Sequence, residues 1–233
     1  MDYISRRDLL KRAGAASAVA AVPAVLTEAA QAPAAPPPRT EPLETLSAPE
    51  AEMLEAIAAR LIPTDANGPG AREARAAHYI DRALGGALAG SREAYRSGLA
   101  GLDAHARATK GRGFAQLSEA DQDQLLAALE QNAVPGFAAP GSAVFFNLVL
   151  NHTLQGTFGD PYYGGNHGFV GWDLVGYPGV RLAVTPDEQR LGQRPRQLHM
   201  SAYDYSMFSG RRPARADATP EENTAPRGAR HGD

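Results

Sequence analysis

The chain has 233 residues, with 23 Lys and Arg against 26 Asp and Glu, a formal charge of −3, and no cysteine. Lack of cysteine excludes disulfides, thiolate-ligated zinc, iron-sulfur clusters, CxxCH haem attachment and a lipid anchor on cysteine. The mildly acidic balance argues against nucleic acid as a partner, and the length suits one domain with a proper core better than two.

Near the N-terminus, Ser5-Arg6-Arg7-Asp8-Leu9-Leu10-Lys11 precedes an alanine-rich apolar stretch from Ala13 to Leu26. Arg6, Arg7, Leu9, Leu10 and Lys11 thus predict a twin-arginine export signal, whose apolar stretch falls short of the roughly 20 residues that span a bilayer. Small residues place cleavage between Ala29 and Ala35, and residues 1–32 are taken as the signal peptide. They hold four basic and three acidic residues, so the total of −3 becomes −4 once they are removed. This address serves cargo that folds before crossing the membrane, chiefly because a cofactor or partner must be installed in the cytoplasm. A periplasmic protein is expected, holding a cofactor or travelling with a protein that does.

Residues 33–45 form a proline-rich linker that cannot build a core. Ser47-Ala48-Pro49-Glu50 is a capping box, which predicts a helix from Ala48 to Ile62 burying Met53, Leu54, Ile57, Ala58, Leu61 and Ile62 and stopped by Pro63. A second helix is predicted over Ala71 to Leu84, burying Ala74, Ala77, Ile80 and Leu84, and a third over Ser91 to Thr109, aligning Tyr95, Leu99, Leu102 and Ala106. Ser118 caps a fourth, with Leu125, Leu126 and Leu129 inward, ending near Pro135-Gly136. Ser142 is read as the cap of a fifth, Ala143 to about Leu154, carrying Val144, Phe145, Leu148, Val149 and His152 at the centre of the core. No stretch alternates as a strand does, so the fold class is all-α: about five helices and a long glycine- and aromatic-rich C-terminal loop region. Beyond the signal, the longest apolar run, Ala143 to Leu150, is interrupted by Asn147 and too short to cross a membrane.

From Gly156 to Gly179 eight of 24 positions are glycine and six are aromatic. Glycine permits close approach and positive φ, while large rings supply buried area at small entropic cost. An ordered, irregular loop is expected, which either seals this chain's own core or lies across a partner; the residues leave both open. The helical domain is taken as 46–184, and 185–233 as a polar, largely disordered tail.

Catalytic signatures are scarce. Neither Gly111-Arg112-Gly113 nor Gly164-Gly165 has the strand, third glycine and later acid of a dinucleotide fingerprint, and no serine sits in a GxSxG elbow. His152, Asp160 and His167 could form a metal site, although no HxxxH or HExxH spacing sets two imidazoles on one helical face. The chain is expected to contain no catalytic, cofactor-binding or metal-binding residues of its own.

Two stretches, Leu61 to Leu84 (LIPTDANGPGAREARAAHYIDRAL) and Gly156 to Gly179 (GTFGDPYYGGNHGFVGWDLVGYPG), resemble the gluconate 2-dehydrogenase subunit 3 family. The likeness runs from about Leu46 to Leu182 and leaves the tail uncovered. It implies a small subunit of a periplasmic or membrane-associated sugar or polyol dehydrogenase. In such complexes a large flavoprotein of the glucose-methanol-choline type holds FAD, and a cytochrome c subunit often accepts the electrons. The small subunit supplies the export signal read by the twin-arginine translocase, and the folded flavoprotein crosses with it. The family transfers no catalytic residues. With the loop read as docking surface, the expected interface is Phe158, Asp160, Pro161, Tyr162, Tyr163, Asn166, Trp172, Tyr177 and Pro178. The competing expectations are a stand-alone metalloenzyme built on His152, Asp160 and His167, and an exported binding module.

Overall fold

The computed structural model describes residues 43–209, so the export signal and the linker through Pro42 lie outside the described residues. Among those residues there are seven α-helices and no strand. They are α1 (Ala48–Leu61), α2 (Ala76–Gly85), α3 (Arg92–Lys110), α4 (Glu119–Glu130), α5 (Ser142–Phe158), α6 (Val170–Val175) and α7 (Ser206–Ser209). None is long and apolar enough to cross a membrane.

Local chemistry accounts for most boundaries. Ser47 donates its N–H (2.9 Å) and its hydroxyl (2.6 Å) to the Glu50 carboxylate at the head of α1, and Ile62 closes the helix before Pro63. α3 ends on Gly111, whose φ of 75° is the left-handed conformation glycine adopts freely. The Ser118 hydroxyl accepts the Asp121 N–H at 3.3 Å to start α4, which stops at Glu130, earlier than Pro135-Gly136.

Two helix starts depart from the sequence expectation. α2 begins at Ala76 rather than Ala71, because residues 71–75 form a turn that closes with Arg75 in the left-handed region at φ 59°. That turn buries Ala71 and Ala74 completely, so tertiary packing selects it over helical propensity. Ser142 lies inside α5 rather than capping it. Its buried hydroxyl donates to the Leu129 carbonyl at 3.3 Å, while the cap is supplied from afar by Asn132, whose Oδ1 accepts the Ala143 N–H at 3.2 Å. Val144, placed inward above, is exposed, and α5 continues past Leu154 to Phe158.

α5 is the central helix and contacts α1, α2, α3, α4 and α6. The core around it joins Leu54, Ile57, Ile80, Leu84, Tyr95, Leu99, Leu102, Phe114, Leu129 and Val149. Gly98 of α3 lies against the Phe145 ring so closely that a Cβ there would overlap it. Polar anchors fix the periphery. Arg60 makes a two-pronged bond to Asp123, both arms 3.0 Å, tying α1 to α4. The Asp81 carboxylate, fully buried on α2, accepts the backbone N–H groups of Glu44 (2.7 Å), Thr45 (3.0 Å) and Leu46 (2.7 Å), which pins the segment leading into α1.

Candidate partner interface

The segment after α5 is built around Asn166. Its backbone N–H donates to the Gly156 carbonyl at 2.6 Å, its Nδ2 to the Gly159 carbonyl at 2.9 Å, and its Oδ1 accepts the Gly171 N–H at 2.8 Å. It sits at φ 43°, in the left-handed region that asparagine tolerates better than most residues, and is fully buried. Gly171 opens α6 against the Thr157 carbonyl, where any Cβ would overlap. The sole tryptophan, Trp172, is only 5 % exposed, donates its indole N–H to the Phe158 carbonyl at 2.9 Å, and meets Phe169 and Tyr177 at ring-centre distances of 5.4 and 4.8 Å. Both readings of the loop therefore have residues behind them. Asn166 and Trp172, placed in the interface above, are turned into this chain's own packing, because their polar atoms and surfaces are already used there. The segment is also more regular than an irregular loop, since it contains α6 and two short 3₁₀ turns, Pro161–Tyr163 and His167–Phe169.

Of the other expected interface residues, Tyr163 and Tyr177 are exposed, while Phe158, Asp160, Pro161, Tyr162 and Pro178 are half-buried. Residues 198–205, part of the tail read above as largely disordered, contact Asp160, Tyr162, Tyr163 and Pro178. Residues 198–205 fold back on the segment as a strap that runs on into α7, whereas residues 210–233 lie outside the described residues. The Pro178 carbonyl accepts the Leu198 N–H at 2.8 Å, and the Met200 carbonyl accepts the Val180 N–H at 2.9 Å. Asp160 accepts the Ser201 hydroxyl at 2.6 Å and the Ala202 N–H at 3.0 Å, along with the Tyr162 N–H at 2.9 Å. Tyr203 stacks on Tyr162 at 3.8 Å between ring centres and shares a 2.7 Å hydroxyl contact with Tyr163, which helps push the Tyr163 hydroxyl up to about 12. His199 lies flat on Phe169 at 4.9 Å, with its Nε2 2.7 Å from Asp173. Sequence reasoning missed this strap, although Ser201-Ala202-Tyr203-Asp204 is a capping pattern and the run Tyr203 to Phe208 holds three aromatic residues.

The metal reading loses its geometry. His152 is buried in the bundle with Nδ1 2.9 Å from the Tyr95 hydroxyl, Asp160 is committed to the strap, and His167 is exposed. No three His, Asp or Glu side chains among the described residues gather where a metal would be held. Burial lowers the pKa of His152 and raises that of Tyr95, so the pair is a neutral hydrogen bond in the core. A binding module would need an enclosed pocket; two clefts, of 390 and 460 Å³, are open to solvent.

A family model described as gluconate 2-dehydrogenase subunit 3 matches residues 48–179, from the head of α1 to the glycine after Pro178. No curated protein and no solved structure matches the chain. The match spans more than half of the sequence and takes in both the helical body and the aromatic segment: the chain belongs to the gluconate 2-dehydrogenase subunit 3 family, whose members are subunits of dehydrogenase complexes and so imply a catalytic partner.

Proposed function

We propose that this chain is the small, non-catalytic subunit of a periplasmic FAD-dependent sugar, polyol or glycoside dehydrogenase. It escorts a flavoprotein of the glucose-methanol-choline type through the twin-arginine pathway and stabilises it. The observation that carries this reading is the family match in a chain whose residues 5–11 read Ser-Arg-Arg-Asp-Leu-Leu-Lys. A subunit address and an export address on one polypeptide are what an escort requires. FAD, in this reading, resides in the partner, and haem c in a third subunit where one takes the electrons. The small subunit contributes docking surface rather than reacting groups, and its catalytic partner sets the substrate and the position oxidised.

The test is the double change Arg6→Lys and Arg7→Lys, followed by fractionation. Both this chain and the flavoprotein should remain in the cytoplasm, with periplasmic dehydrogenase activity lost. A flavoprotein that reaches the periplasm at its usual level would end the escort role.

A further inference from the structure

Large apolar side chains left in solvent are unevenly placed. Ten are exposed among the described residues, of which Leu43 and Val144 belong to the helical body and its lead-in, while the other eight fall between Tyr163 and Phe208. An exposed apolar set so concentrated along one stretch of chain is where a docking surface is to be sought.

The strap gathers part of that surface. Ser201 and Ala202 hang on Asp160, which brings Tyr203 flat onto Tyr162 and its hydroxyl onto that of Tyr163. α7 follows at once, and Met207 lies four residues on, within about 14 Å of Tyr203 by chain reach alone. Met207 is 65 % exposed, Tyr163 50 % and Phe208 37 %. The two tyrosine hydroxyls share one hydrogen bond and the Asp160 carboxylate is spent inward, leaving the exposed Tyr163 ring and the Met207 thioether toward solvent.

We propose that the strap, residues 198–208, completes the surface that docks the catalytic subunit, with Tyr163, Tyr203, Met207 and Phe208 as anchors; this rests on the subunit reading above. The strap lies outside the family-matched segment, which ends at Gly179. Residues 210–233 contain no Leu, Ile, Val, Met, Phe, Tyr or Trp, so that stretch offers no large apolar side chain to match the anchors. A second copy is the weaker occupant, since Tyr162 and Tyr163 make the surface continuous with a segment common to subunits of dehydrogenase complexes. The complementary face is an apolar groove on the catalytic subunit, accepting aromatic and thioether anchors.

The experiment compares the wild-type chain, the double variant Met207→Ser with Phe208→Ser, and Val144→Ser, each titrated against the flavin-bearing protein that co-purifies with tagged wild type. Val144→Ser removes an exposed apolar residue (52 %) from the helical body and serves as control. The double variant should bind about tenfold or more weakly, as for interface anchors, while Val144→Ser binds as wild type. All three should keep the Trp172 emission of the folded chain. Unchanged affinity of the double variant overturns the proposal. So does a homodimer, seen by sedimentation of the isolated chain, that the double variant dissolves, because the surface then belongs to a second copy. If no flavin-bearing protein accompanies the wild-type chain, the subunit reading itself fails and takes the strap's role with it.

Discussion

In the helical body, residues 48–158, aliphatic and aromatic side chains from five helices fill one interior and leave little apolar surface outside. Residues 159–205 have one buried large ring, Trp172, and are held by side chains bonded to backbone groups: Asn166 to Gly159 and Gly171, Asp160 to Ala202, Tyr205 to Val180. The first region is stabilised by area removed from water, spread over many residues. The second depends on a few polar pins whose loss strands their partners, and it leaves large rings in solvent. A unit built that way is expected to open locally more easily than the core beneath it.

The largest effect should come from the body. Leu102 is fully buried, so Leu102→Ala should cost about 3 kcal/mol, with helix signal and Trp172 emission lost together at lower denaturant. Asn166→Ala tests the other side, removing a donor and an acceptor from a buried site for about 2 kcal/mol. Trp172 emission should then change before the helix signal does. If both probes still report one shared transition, the two regions are a single cooperative unit and the contrast between them is wrong.

The His152–Tyr95 pair probes the body by pH. Burial holds the folded-state pKa of His152 below its ordinary 6.5, so the unfolded chain binds the proton first. The associated stability is complete above that value and declines as pH falls below it, with a slope of at most about 1.4 kcal/mol per pH unit. Urea melts of wild type and His152→Gln from pH 7.5 to 5 should diverge in this direction, and parallel curves would show that His152 takes up its proton in the folded core. The smallest effect should be Tyr203→Phe, which removes an exposed hydroxyl contact and leaves the ring stack. It should cost about 0.5 kcal/mol in the same melts, and a loss of several times that would mean the hydroxyl pair, not the stack, holds the strap.

Reading the sequence located the helices because each announces itself locally: Tyr95, Leu99, Leu102 and Ala106 share a face by spacing alone, and Ser47 with Glu50 or Ser118 with Asp121 are cap and partner within one turn. It misplaced the start of α2 and the cap of α5 because the deciding groups are remote. Ala71 and Ala74 are drawn into the core by neighbours outside their own turn, and Asn132 caps a helix that begins ten residues later. The aromatic segment was legible as special, yet composition could not say which rings face inward. Trp172 is buried because Phe158 offers a carbonyl to its indole, whereas Tyr163, nine residues earlier, finds no such pocket and stays exposed.

The amino-acid order by itself determined the all-α class, the helical faces, the family and the motif read as an export signal, since each is written in spacings of a few residues or in one contiguous segment. Only the tertiary structure decided that Asp81 pins the lead-in across some 36 residues and that Asp160 and Tyr162 hold Ser201 and Tyr203 some 41 residues away. Contacts at that separation depend on where the intervening helices turn the chain, and no periodicity records them. That is why the strap, and the docking surface proposed on it, became visible only when the chain was folded.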